Sequence, residues 1–471
     1  MESSAQVFPG NVKRALADKQ LQTAMTETGP HFVEKRAKAR AALPEFDALR
    51  DQSRDIKNHV LAHLDLYLEI YEKKVIETGG VVHWAATPDD ARAAIIGICK
   101  RHGAKLVTKG KSMISEEIDL NHALEAVGIT PVETDLGEYL IQLRGERPSH
   151  IIAPAVHLTR DQVEADFRKA HTHLPPERNL TEIPTLVEEA RNVMRQKYLD
   201  ADVGVTGANF LIAETGTSII VTNEGNGDLT QSLPKVHIVI ASIEKIVPTL
   251  EDASTILRVL ARSATGQDFA NYTTLSTGPK RAGDPDGPEE YHVVILDNGR
   301  SNVLGTEFQD MLRCIRCGAC LNHCPVYQAV GGHAYGSVYP GPIGAVVTPA
   351  LQGIENARHL PNASTFCGRC EEVCPMRIPL PKMMRHWREK EFEKHLTPVT
   401  VRTGLKLWAY AVKRPRLYQF GTRIAARMLR KLGGRKGRLA TVPLASAWSR
   451  YRDFPAPQGR TFQEMWKERL K

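Results

Sequence analysis

No uninterrupted apolar stretch in the chain approaches the ~20 residues that a helix needs to cross a bilayer. The amino-terminal segment has no apolar core of the kind a secretory signal carries. Cysteine is scarce, with eight in 471 residues, too few for a disulfide scaffold. The 17 histidines form no HExxH pair or other paired metal spacing, so most read as structural or exposed. No recognised nucleic-acid motif is present. These absences exclude a membrane-spanning helix and an extracellular disulfide framework, and a soluble cytoplasmic protein is expected. What remains is an ordinary globular composition, 42% hydrophobic and 25% charged. The length suggests roughly three domains.

The few cysteines are not evenly spread. Cys99 stands alone beside Ile95, Ile96 and Ile98 and reads as core. The other seven fall between positions 314 and 374. Clustered thiols in a reducing compartment point to metal. Charge is also uneven. Residues 381–471 hold 23 Lys and Arg against 6 Asp and Glu, a net of +17. The whole chain is +8, so the rest carries −9 and does not read as a nucleic-acid binder.

Residues 1–77 read as helical, with Val60, Leu61, Leu64, Leu66, Leu68 and Ile70 near helical spacing and Gly79-Gly80 ending the run. Strand and helix then alternate. Strands are expected at 81–84, 105–108, 129–133, 151–153, 203–205, 218–222, 237–242 and 291–297. Helices are expected at 88–101, 115–127, 136–143, 160–170, 184–198 and 251–263. Thr87 and Pro88 suit a helix start, because the first turn needs an acceptor for its amides and no amide at Pro. Such alternation argues for an α/β domain with a largely parallel sheet over 78–300, the N-terminal helices 1–77 packing on it. After residue 300 come the cysteines, a Gly/Pro-rich insert at 331–349, and a basic helical tail broken at Pro398, Pro415 and Gly433-Gly434. The cysteine module is placed at 301–394 and the tail at 395–471.

The first cysteine run is Cys314-x2-Cys317-x2-Cys320-x3-Cys324-Pro325, the bacterial ferredoxin spacing. Two-residue gaps let three thiolates converge on one cubane, while the fourth is turned toward another. Gly318 lets the backbone pass close, and Pro325 diverts the chain. The second run is Cys367-x2-Cys370-x3-Cys374-Pro375, with Ser364 where a first cysteine would stand. Cross-ligation assigns Cys314, Cys317, Cys320 and Cys374 to one cluster and Cys324, Cys367 and Cys370 to the other. The missing corner is Ser364, a solvent or partner ligand, or an absent iron that leaves a three-iron cluster. Zinc would prefer separate CxxC pairs. The long spacer and helical-looking flanks (305–313, 380–394) predict an α-helical two-cluster ferredoxin module rather than a small β-rich one.

With both runs, the segments Lys109–Asn121 and Gly204–Asn226 and the stretch Gly331–Gly336 make the chain resemble the lactate utilization protein B family. The likeness runs from about residue 40 to the tail. It implies an iron–sulfur electron carrier acting with two companion proteins in the oxidation of L-lactate to pyruvate. It implies two four-iron clusters held by seven cysteines. It also implies a lactate-utilization domain at 78–300, similar in fold to sugar-phosphate isomerases and CoA transferases.

A small-molecule site in the α/β domain is a further candidate. Gly204, Gly207, Gly216, Gly225 and Gly227 punctuate strand-like runs, with Thr206, Asn209, Glu214, Thr215, Thr217, Asn223, Glu224 and Asn226 between them. Strand-end loops of open α/β sheets are where ligands bind, although turn glycines need no ligand. Lys109, Lys111 and Ser112 are candidates for an anion contact, and Glu214 for an acid, base or nucleophile by fold analogy alone. His323 and His333 flank the cysteines and are candidates for tuning potential. In the tail, Leu417, Phe420, Ile424 and Met428 share one helical face and Arg416, Arg423, Arg427 and Arg430 another. Trp387, Trp408, Trp448 and Trp466 also lie past residue 380. A basic amphipathic helix suits docking to companion subunits or to the inner, anionic membrane surface. Two other readings stand beside electron transfer. In one, the α/β domain itself binds and converts a small hydroxy acid; in the other, redox-silent metal stabilises an interaction protein.

Overall fold

The computed structural model describes residues 4–110, 112–442, 449 and 452–470. The chain divides into two compact units, Met1–Glu391 and Phe392–Lys471.

Ten strands run through the described part of the first unit. In chain order they are β1 (Val81–Ala85), β2 (Leu106–Gly110), β3 (Thr130–Glu133), β4 (Val203–Gly207), β5 (Phe210–Ile212), β6 (Thr217–Thr222), β7 (Val236–Ser242), β8 (Ile246–Val247), β9 (Tyr272–Ser276) and β10 (Glu290–Leu296). Six of them form one sheet in the order β1-β10-β7-β4-β2-β3. Every pair in it is parallel. β7 is buried along its whole length, as expected of a strand covered on both faces.

One face packs under the helix Pro88–Arg101, which starts at a capping box between Thr87 and Asp90. There Ile95, Ile98 and Cys99 meet Val107, Val203 and Ile238. The opposite face receives Leu64, Leu68, Tyr71 and Val75 from the helix Leu64–Glu77, against Val239, Ala241 and Val293. A second, mixed sheet follows the order β8-β5-β6-β9. The chain leaves β2 outward to β3, then returns to the other side of β2 as β4. This reversal opens a crevice at the carboxyl ends of β2 and β4, where open α/β sheets take ligands.

Several local expectations are corrected. Residues 151–153 form a turn, not a strand, because His150 Nδ1 accepts the N–H groups of Ile152 (3.1 Å) and Ala153 (3.2 Å). The helix expected at 115–127 is broken by Asp119 in the left-handed region (φ 57°), giving Met113–Glu117 and Leu120–Glu125. Of residues 305–313, only Gln309–Arg313 is helical, as a 3₁₀ turn. β5, β8 and β9 were not expected. They are short, or too polar to show an apolar period.

The cysteine segment is clamped by the N-terminal helices Lys19–Ala41 and Phe46–Ala62. Buried Arg36 donates to the Val373 carbonyl (2.9 Å). Buried Arg50 donates to the carbonyls of Glu372 (2.6 Å) and Cys374 (2.8 Å). The Gly/Pro-rich insert holds the helix Gly341–Gln352, buried from Gly341 through Pro349. Trp387 stacks on Phe308 (4.0 Å between ring centres) and donates to the Val346 carbonyl (3.1 Å).

The second unit has the helices Val399–Val412 and Pro415–Gly433, an antiparallel pair β11 (Arg438–Leu439) and β12 (Phe454–Pro455), and a last helix Phe462–Arg469. Leu417, Phe420, Ile424 and Met428 are all exposed on the basic helix. Trp448 lies outside the described residues. Among the described residues no helix is long and apolar enough to cross a membrane.

Candidate metal centre

The two cysteine runs are one backbone turn written twice, fifty residues apart. Arg316 and Phe366 both take left-handed φ angles (60° and 52°), as do Gly318 and Gly368 (72° and 80°). Each glycine opens a one-turn helix, Ala319–Asn322 or Arg369–Glu372. At Gly318 a side chain is excluded twice over, by φ and by His150 Cε1, which would lie 2.9 Å from an added Cβ. Ser364 stands in the place of Cys314.

Cys314, Cys317, Cys320 and Cys374 line one cavity, walled by Ile315, Ile343, Met376 and Ile378. Cys324, Cys367 and Cys370 form the second group, near enough to one another that each thiolate would repel its neighbours. Cys324 and Cys370 are buried, whereas Cys367 is exposed. Cys320 also feels Cys370, so the two groups adjoin. The Ser364 hydroxyl accepts the Phe366 N–H (3.1 Å).

The donor set fits an iron–sulfur load. Among the described residues all the cysteines are free thiols. Burial and the Cys374 sulfur push the Cys317 thiol up to about 12, and burial with Cys324 does the same at Cys370. Such sulfurs ionise only when a cation compensates them, and soft thiolates select iron–sulfur clusters or zinc. Peptide N–H groups point at the sulfurs: Arg316 at Cys314 (3.4 Å), Ile378 at Cys374 (3.5 Å), Ala319 at Cys317, and Val326 and Tyr327 at Cys324. These favour the charged form and set potential. At exposed Cys367 the Arg369 N–H and Thr365 hydroxyl hold the thiol below its usual value.

A buried charge network adjoins the first group. Arg300 pairs with Glu117 (2.7 Å) and Glu244 (3.0 Å), and Arg316 pairs with Glu244 (3.2 Å). Burial works against the Glu244 carboxylate, but Arg300 and Arg316 hold it down at about 2. Nothing in the local sequence marks Arg316, Glu244 or Lys245. Arg316 occupies a variable place within the run, and the other two simply follow an apolar strand.

The candidates of the α/β domain separate. Ser112, Gly207 and Asn209 line a cavity at the strand ends. Lys109 is no anion contact: its ammonium is buried between Glu133 (2.6 Å) and Asn121 (2.6 Å). Lys111 lies outside the described residues. Glu214 is exposed and accepts the Leu250 N–H (2.8 Å), capping a helix rather than facing a cavity. Gly204 is a packing glycine, since an added Cβ would fall 1.8 Å from the Thr230 carbonyl oxygen. Gly216 (φ 69°) is a turn, and Gly225 and Gly227 start the helix Asn226–Ser232. Thr206 bonds His237, Thr215 bonds Thr217, and Asn223 holds Gln267. Glu224 is exposed, and Asn226 is buried with both amide atoms unpartnered. His323 Nδ1 meets the Ala319 carbonyl (2.9 Å), and His333 Nε2 the Arg147 carbonyl (2.6 Å). Cys99 is core, fully buried.

Comparison with known proteins adds the family. Residues 68–296 match the LUD domain, residues 310–378 the 4Fe-4S dicluster domain, and residues 377–471 the C-terminal part of lactate utilisation protein B. The chain is 41% identical to Lactate utilization protein B of Macrococcus caseolyticus, over 100% of this chain and 99% of that one. It is 40% identical to the protein of the same name from Bacillus subtilis, over 100% and 98%. It is 41% identical to the Uncharacterized electron transport protein YkgF of Escherichia coli, over 98% and 96%.

Proposed function

The chain belongs to the lactate utilization protein B family, and from that premise we propose that it carries electrons released when L-lactate is oxidised to pyruvate. The observation that carries this reading is the pair of adjoining thiol groups, one lining an apolar-walled cavity and one reaching the surface at Cys367. Cys314, Cys317, Cys320 and Cys374 hold one four-iron cluster. Cys324, Cys367 and Cys370 hold a second, completed by a ligand other than cysteine. When bound, such clusters take up and release single electrons at potentials set by ligands, hydrogen bonds and burial.

The protein's own part is to fix the sulfurs, aim peptide N–H groups at them and wall the first group with apolar side chains. The exposed Cys367 side is where a partner's redox centre approaches. Two companion subunits supply the lactate-oxidising centre and the next carrier. The basic helix Pro415–Gly433, with its apolar face exposed, docks to those subunits. The same reading divides the chain at residues 78, 301 and 395.

The test mixes anaerobic, iron-loaded protein with its companion subunits and L-lactate and follows the visible absorbance. Bleaching that needs the companions is expected. Bleaching by L-lactate in the isolated chain would instead make the α/β domain the oxidising enzyme. An absorbance unmoved with or without companions would refute the reading.

A further inference from the structure

The crevice at the reversal between β2 and β4 holds a cavity of about 100 Å³. This lies well below the roughly 300–1,000 Å³ of drug-sized sites, so it admits an acid of a few carbon atoms and no nucleotide. Ser112 follows β2, Asn209 follows β4, and Lys245 follows β7, so the three stand at neighbouring strand ends. Arg316 and Tyr339 close the cavity from the cysteine region.

Two cations there are incompletely used. The Arg316 side chain is 9% exposed and stacks on Tyr339, its guanidinium carbon 4.2 Å from the ring centre. One of its nitrogens pairs with Glu244, but Nε and Nη1 are buried with no hydrogen-bond partner. Buried donors are almost always satisfied in folded proteins. Lys245 is 6% exposed, and its ammonium makes no hydrogen bond or ion pair with a described residue. The Asn209 side-chain oxygen Oδ1 accepts the Val221 N–H (2.9 Å).

Counting the network, Arg300, Arg316 and Lys245 face two carboxylates, Glu117 and Glu244. Burial and the Arg316 charge push Lys245 down to about 8, so it is still mostly charged at neutral pH. Glu138 also lines the cavity, and burial with the carboxylates of Glu133 and Asp135 pushes its carboxyl up. Arg316 and Lys245 thus share the single Glu244 carboxylate, and the two unpartnered Arg316 donors suit an anionic occupant.

We propose that this cavity binds a small monocarboxylate, its carboxylate on Arg316 and Lys245 and its other polar group among Ser112 and Asn209. Arg316 sits between Cys314 and Cys317 and also lines their cavity, so an occupant changes the field at the first thiol group. Using lactate and pyruvate as probes rests on the reading above; the cavity and its unpaired donors do not.

The test is calorimetric titration of the anaerobic, iron-loaded full chain with pyruvate, L-lactate and inorganic phosphate in separate arms. One-to-one binding of pyruvate or L-lactate is expected, together with a shifted EPR signal of the reduced protein. Lys245→Gln should weaken binding tenfold or more. Ala208→Leu, which fills the cavity and leaves both cations, should abolish it at unchanged iron content. The proposal is overturned by no binding of either acid at millimolar concentration, by wild-type affinity in both variants, or by tighter binding of phosphate. Binding with failed electron transfer refutes only the electron-carrier reading. Electron transfer without binding refutes only this site.

Discussion

The two cysteine groups share a backbone and differ in their surroundings. The first is walled by isoleucines and methionine and backed by a buried charge network, whereas the second reaches solvent at Cys367. The local turn therefore decides how sulfurs converge, and the rest of the chain decides how far water reaches them. Of the two residues that cross between runs, Cys324 and Cys374, the latter is held at the first group by Arg50 on its own carbonyl and Arg36 on the Val373 carbonyl, from helices more than 300 residues away in sequence.

The sharpest way to break this contrast is to remove one sulfur from each group. Cys314→Ser and Cys367→Ser should each lose about half the iron of the anaerobic protein. Only Cys314→Ser should also lower the thermal midpoint substantially, by about 5 °C, because it leaves a poorly filled interior. Equal midpoints would show that enclosure contributes nothing.

Arg50→Ala comes next. It removes charged donors from the Glu372 and Cys374 carbonyls and should cost about 3 kcal/mol in denaturant unfolding. Arg377→Ala, which removes a partly exposed pair with Asp51 (3.0 Å), should cost less than about 1 kcal/mol. A reversed order would deny the clamp its role.

Acid should act on the α/β domain and must be subtracted before the groups are compared. Burial pushes His237 down to about 3, so the folded state keeps it neutral. The unfolded state takes up a proton below about pH 6.5. Stability is thus complete above about pH 6.5 and falls as pH drops toward 3, by on the order of 3 kcal/mol near pH 4. His237→Gln should flatten that limb in urea titrations at pH 4 to 7; an unchanged slope would contradict the assignment.

The smallest effect is expected at the open corner. Ser364→Cys supplies an eighth thiol and should slow iron loss to a chelator about twofold at the second group only. Slowed loss at both groups, or none, would separate Ser364 from the site.

Much of this was legible in the chain. Cysteine spacing needs only local geometry, the Thr87–Asp90 cap is a local exchange of hydrogen bonds, and β7 carries the apolar run Ile238–Ala241. What failed depends on distant partners. Residues 151–153 look like a strand until His150 takes their amides. Lys109 looks available until Glu133 and Asn121 arrive from other elements. Glu214 looks chemical until it caps a helix beginning thirty-six residues on. Arg316 and Lys245 carry no pattern of their own and acquire meaning only where the sheet reverses beside the cysteines.

The most direct measurement is iron and acid-labile sulfide per chain on oxygen-protected protein, with EPR of the reduced sample. About eight iron and a matching amount of sulfide, with signals from two interacting centres, is the result expected. Colourless protein containing zinc and no labile sulfide would contradict it.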